Sequence, residues 1–191
     1  MTAYTINLNP VIRMTDEQFY ELCRANPDVK FERNARGDLL IMAPTGGETG
    51  QSNANLTADF VIWNRKSRLG SVFDSSTGFK LPNGANRSPD VAWVRRDRWD
   101  ALTPDQRKRF PPIAPDFVLE LMSPTDTLQE TQAKMREYIE NGVKLGWLLN
   151  AETKRVEIYR PSEDVEILDA PKTLSGEDVL PEFTLNLDSI W

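Results

Sequence analysis

Hydrophobic positions along the chain fall into short blocks whose period switches between the helical and the extended repeat. "TDEQFYELCRAN" carries Phe19, Leu22 and Cys23 on one helical face, and Thr15 precedes Gln18 by the three-residue spacing of a capping box. "VKFER" and "DLLIM", joined by the turn-like "NARG", read as a β-hairpin. From Glu48, or a little later, to Leu69 the apolar residues Leu56, Phe60 and Trp63 recur at helical spacing, with Gly70 placed as a stop. Short strands are predicted at "SVFD", "GFKL" and "DVAWV", then a small helix "TPDQRKRF" with Thr103 as its cap, then the strand "DFVLELM". Asp126 and Gln129 have the spacing of another capping box. They precede a helix with Met135, Tyr138 and Ile139 as its apolar stripe and Gly142 as its stop. Strands "GWLLN", "RVEIYR", "DVEIL" and "FTLNL" complete the chain. This order predicts an α/β (α+β mixed) fold, a central mixed β-sheet flanked by helices, with an N-terminal helix and β-hairpin.

One position breaks the pattern. Alternation along "PDFVLELMSP" sets Glu120 on the same face as Asp116, Val118 and Met122, inside an apolar strand, with no basic residue within five positions on either side. An ionised carboxylate there is costly unless a cation from elsewhere in the fold compensates it. Asp90, at the mouth of the apolar strand in "SPDVAWV", is the second acid of interest. Asp116 lies four residues from Glu120, roughly 13 Å along a strand, too far to share an ion with it. Neighbouring strands are only about 5 Å apart, so Asp90 and Glu120 converge if their strands pair in the right register. Two carboxylates suit Mg²⁺ or Mn²⁺ rather than zinc, and such ions catalyse phosphoryl chemistry. A buried ion pair between Glu120 and an arginine is an equally open explanation at this point.

Composition narrows the chemistry. With 191 residues, 39% of them hydrophobic, a single domain spanning 1–191 is expected. The chain contains no histidine, which removes Ser-His and Cys-His nucleophile pairs and His-containing zinc sites. The single cysteine, Cys23, excludes an intrachain disulfide. A formal net charge of -6 argues against unselective attraction to nucleic acid, although "NRKSR", "RRDR" and "RKR" provide local basic runs, each read first as solvated surface. No apolar stretch is long enough to span a membrane and no signal peptide is recognisable, so a cytoplasmic location is expected.

The segments "IMAPTGGETG", "STGFKLPNG", "SPDVAWV", "PDFVLELMSPTD", "KMREYIENGVKLGWLLN" and "VEIYRP", in that order, resemble the Uma-type (Uma-two) family of restriction endonucleases, a branch of the PD-(D/E)XK nuclease superfamily. The resemblance covers nearly the whole chain and implies a restriction-endonuclease-like core. It implies that Asp90 and Glu120 are metal ligands for Mg²⁺ or Mn²⁺ and that DNA is the substrate. It also brings in Glu48 as a third metal-binding acid from the first long helix, where a first-turn acid favoured by the helix dipole is the alternative. The superfamily lysine should stand two residues after the second acid, where this chain has Met122. Lys134, about 40° around its helix from Tyr138, borders the buried stripe and is the expected replacement in catalysis, with Lys80 a weaker one and an ordinary surface lysine the alternative. The expected activity is metal-dependent hydrolysis of DNA phosphodiesters by an endonuclease, as a homodimer if both strands are cut. The loss of the lysine at position 122 keeps open a catalytically inactive nucleic-acid-binding or regulatory module, and a hydrolase of small phosphate compounds is a third reading.

Overall fold

The computed structural model describes residues 3–8, 11–188 and 190–191. In chain order the elements are β1 (Ala3–Ile6), α1 (Asp16–Ala25), β2 (Lys30–Arg33), β3 (Leu39–Met42), α2 (Gly47–Ser67), β4 (Gly70–Asp74), β5 (Phe79–Lys80), β6 (Asn86–Arg87) and β7 (Val91–Arg95). There follow α3 (Arg96–Asp100), α4 (Pro104–Lys108), β8 (Phe117–Met122), α5 (Leu128–Glu140), β9 (Leu145–Asn150), β10 (Arg155–Tyr159), β11 (Glu166–Asp169), β12 (Thr173–Ser175) and β13 (Thr184–Asn186).

Six strands form the central sheet in the order β11-β10-β9-β8-β7-β4, with β8 and β9 parallel and the other pairs antiparallel. The parallel pair lies at its centre, covered on both faces, which is why "FVLELM" and "LGWLLN" are almost continuously apolar. Leu56 and Phe60 of α2 pack on one face with Phe117, Trp147 and Phe183; Met135 and Tyr138 of α5 pack on the other with Val118 and Leu148. All of these are buried, each large apolar side chain contributing roughly 1.5–3 kcal/mol by its removal from water. Apolar patterns in the sequence predict Trp63, Trp93, Trp147 and Tyr138 as core residues; Trp93, Trp147 and Tyr138 are buried, and Trp63 packs partly buried against the cluster that holds Trp93 and Trp147. A second sheet, β1-β3-β2-β6-β5, holds the hairpin and abuts the same end of the molecule as the acids.

Several boundaries differ from the sequence expectation for identifiable reasons. The long helix ends at Ser67 with Arg68 in the left-handed conformation (φ 57°), so Gly70 is not its stop. Gly70 instead opens β4, where a Cβ would strike the Val94 carbonyl and the Trp93 indole. The cap of α5 is Thr127, whose hydroxyl accepts from the Glu130 amide, one residue beyond the Asp126/Gln129 pairing. Asp126 closes the preceding turn by accepting from the Ser123 amide and hydroxyl. The box at Thr15/Gln18 forms as expected, and Thr103 caps α4 as expected, with Gln106 completing a box there as well.

Candidate active site

Asp90 and Glu120 reach the same place because of strand register. Val91 lies opposite Leu119, Ala92 opposite Val118 and Trp93 opposite Phe117, and one further step of this antiparallel register sets Asp90 across from Glu120. The Leu121 amide donates to Asp90 Oδ2 at 2.9 Å and ties the two strands together there. Both acids are buried, Asp90 at 5% and Glu120 at 7% relative exposure, and both line a cavity of about 460 Å³.

Lys134 enters from α5. Its Nζ lies 2.8 Å from Glu120 Oε1 and 3.0 Å from Glu32 Oε1, and the Tyr138 hydroxyl donates to Glu120 Oε1 at 2.9 Å. Lys134 and Tyr138, four residues apart, share one side of the helix, and Met135 between them fixes its approach to the sheet. Gly146 in β9 permits that approach, since a Cβ there would stand 2.6 Å from Met135 Cε.

The structure brings in a residue that the sequence reading passed over. Glu32 of β2, 1% exposed, accepts from Arg87 Nη1 at 3.0 Å and from the Ser88 amide at 2.9 Å in addition to its pairing with Lys134. Arg87 continues to Glu137 of α5 at 2.6 Å. The one signal available in the sequence was a charged residue next to apolar Phe31 in a short strand, which any half-exposed strand also shows.

Glu48 is not brought to the acids. Residues of an α-helix turn by about 100° each, so Glu48 stands roughly 80° from Leu56 and 120° from Phe60, the two residues that define the buried side of α2. It is exposed and does not line the cavity, whereas Thr49 and Asn53 do. Lys80 is also elsewhere, paired with Asp16. Asp116 accepts from the Arg95 amide and pairs with Arg98, both at 2.8 Å, which accounts for it as a strand-entry residue. The basic runs at 64–68, 95–98 and 107–109 contribute no residue to the lining of this cavity.

Electrostatics within the network are unbalanced. Burial pushes the Glu120 carboxyl up to about 7, and the neighbouring Asp90 and Glu32 carboxylates add to this against the pull of Lys134. Asp90 is likewise raised by burial, with the Leu121 amide opposing. Burial also disfavours ionised Glu32, but the charges of Lys134 and Arg87 overcome it and hold Glu32 below the usual carboxylate range. For Lys134, burial opposes the charge and the two glutamates more than offset it, so its pKa is raised and it stays an ammonium. Among the described residues Lys134 and Arg87 pair directly with Glu120, Glu32 and Glu137, and Lys30 adds a favourable field at Asp90 and Glu32 while Asp126 adds an opposing one at Asp90.

The donors are oxygens throughout, which suits a hard cation. Among the described residues no three histidine, cysteine, aspartate or glutamate side chains lie close enough to hold an ion alone. A cation here would therefore draw on Asp90, Glu120 and neutral oxygens. Cys23 is remote from this chemistry, its thiol raised to about 11 by burial.

A mixed sheet flanked by helices, with two acids facing one another on adjacent strands and a lysine delivered to the second, has the architecture of a restriction-endonuclease-like nuclease. The Uma2 family model, described as "Putative restriction endonuclease", matches residues 16–188, and the chain belongs to that family. No curated protein matches it. Among solved structures, the chain resembles a "putative nuclease belonging to DUF820" from Anabaena variabilis ATCC 29413, with 18% identity, coverage of 93% of this chain and 97% of that one, and a TM-score of 0.77. At that identity the likeness is one of fold.

Proposed function

We propose that the protein is a divalent-metal-dependent DNA endonuclease in which Asp90 and Glu120 hold Mg²⁺ or Mn²⁺ and Lys134 assists the attacking water. Membership of a nuclease family supports hydrolysis of nucleic acid. The observation that carries the finer assignment is the placement of the Lys134 ammonium 2.8 Å from Glu120, on the strand position that faces Asp90. A bound cation would supply Lewis acidity toward the phosphodiester.

The chain's own groups supply the rest. The Leu121 amide fixes Asp90, and the Tyr138 hydroxyl and Lys134 fix Glu120, so neither acid reorganises when substrate arrives. Lys134 has three N–H donors, of which Glu120 and Glu32 engage two. The third meets no acceptor among the described residues and would orient the attacking water or stabilise charge growing on the phosphate oxygens. Because Lys134 remains protonated, it donates and does not take the water's proton. Thr45 and Thr49 on the cavity wall would offer hydroxyls to the nucleic-acid backbone, whereas those of Thr127 and Thr131 are engaged by Glu130 and the Thr127 carbonyl.

The test is cleavage of supercoiled plasmid and of single-stranded DNA with Mg²⁺, Mn²⁺ or EDTA, comparing the native chain with Glu120→Ala and Lys134→Ala. Metal-dependent cutting that vanishes in Glu120→Ala supports the assignment. If DNA is retained but never cut, the chain is a binding module; if Glu120→Ala cuts as well as the native chain, this site is not the active one.

A further inference from the structure

Asn53 lines the same cavity and has no role in the site as described so far. It lies on the buried side of α2, roughly 60° from Leu56 and 20° from Phe60. Its amide nitrogen donates to Asp90 Oδ1 over a long 3.4 Å. Its Oδ1 is buried and has no hydrogen-bond partner among the described residues. Four buried side-chain polar atoms share that condition, and the others, on Ser67, Trp147 and Arg155, lie outside this cavity.

Leaving a buried acceptor unsatisfied costs about 1–3 kcal/mol, and native proteins seldom tolerate it without a reason. Reversing the amide does not cure the defect. It would set Oδ1 against Asp90 Oδ1, two acceptors facing one another, and strand the NH₂ group instead. The missing partner of Oδ1 must therefore be positive or a donor, and it must come from outside the described chain. Asp90 and Glu120 line the cavity beside it, and the acids alone are too few to hold an ion. Hard divalent cations complete their shells with neutral amide oxygens.

We propose that Asn53, through its amide oxygen, is the third side-chain ligand of the divalent cation held by Asp90 and Glu120. The proposal rests on the metal-dependent function above. The nitrogen of the same amide steadies Asp90, so one side chain both orients an acid and binds the ion. The first long helix thus contributes a neutral ligand at Asn53, where Glu48 was expected to contribute an acidic one.

Mn²⁺ binding to the full chain, measured by calorimetry in the absence of DNA, tests this independently of cleavage. Native chain, Asn53→Ala, Asn53→Asp and Asp90→Asn are compared, with thermal melts to verify folding. Asn53→Ala should weaken Mn²⁺ about 10-fold or more, since even residues that only support a ligand cost that much. Asn53→Asp, which replaces a neutral oxygen by a charged one, should bind at least as tightly as the native chain. Unchanged affinity in Asn53→Ala, with Asp90→Asn impaired, would overturn the role of Asn53 and leave the metal site standing. An Asn53→Asp chain that binds more weakly than Asn53→Ala would also overturn it, because Asn53 would then serve only as a donor to Asp90. A native chain that binds no Mn²⁺ would overturn both the ligand and the metal-dependent function.

Discussion

Glu120 imposes a pH-dependent penalty on the metal-free fold, and Glu120→Gln should relieve it. The folded carboxyl titrates at about 7 against an ordinary 4.5, chiefly because it is buried. With the folded pKa raised, the native state holds the proton more tightly than the unfolded chain. The penalty is therefore absent below about 4.5, grows as pH rises through the window up to 7, and is complete above it. At about 1.4 kcal/mol per pKa unit, the shift corresponds to roughly 3 kcal/mol. For a chain of this length that is roughly 6–12 °C in Tm. Gln retains a carbonyl oxygen to accept from Tyr138 and Lys134, so the substitution removes charge with little change of shape. Thermal melts in EDTA at pH 5 and pH 8 should show the variant more stable than the native chain by several degrees at pH 8 and by much less at pH 5. Mn²⁺ should then raise the native Tm at pH 8 and leave the variant's almost unchanged. A stability difference of the same size at both pH values, or a variant less stable at pH 8, would refute the electrostatic account.

Three further outcomes follow from the same network. Lys134→Met should lower kcat for DNA cleavage by about 10²–10³ with KM little changed, as for loss of one preorganised donor, measured under saturating Mn²⁺. Glu32→Leu should destabilise the chain by about 3–5 kcal/mol in urea titrations, because Arg87 and Lys134 lose a buried counter-charge, although Glu32 was not among the acids expected to bind metal. Glu48→Ala should keep cleavage near the native rate and change stability by no more than about 0.3–1 kcal/mol, the contribution of an exposed acid near a helix N-terminus.

What was legible in the sequence was whatever depends on short-range pattern. The apolar run around Glu120 announced a covered central strand, and the same run made the carboxylate conspicuous. The distance between neighbouring strands favoured Asp90 over Asp116, and the observed register sets Asp90 opposite Glu120. Lys134 could be placed from its angle to Tyr138, because helical geometry fixes that angle wherever the helix packs. Glu32 could not be found in this way. Its burial depends on the hairpin sheet docking beside α5, a contact between segments roughly a hundred residues apart that no local period encodes. Asn53 was passed over for a different reason: the stripe of Leu56, Phe60 and Trp63 already set it on the inward side of the recognised helix, but Glu48 drew attention by its charge. The caps at Thr127 and Arg68 were missed by a residue or two because Asp126 and Gly70 are equally good formal signals and are used elsewhere.

The delivery of Lys134 from α5 rather than from β8 uncouples the spacing of the charged groups from the spacing of residues in the chain. When acid and lysine share a strand, the count between them is rigid, and any insertion breaks the pair. Here the ammonium is indexed to Met135 and Tyr138, whose packing against β8 and β9 holds α5 in register whatever precedes it. The turn from Ser123 to Thr127, which borders the cavity, can then lengthen or change composition without displacing the lysine. If Lys134 acts as proposed, it is a segment in which substrate preference can drift while the lysine stays where it is.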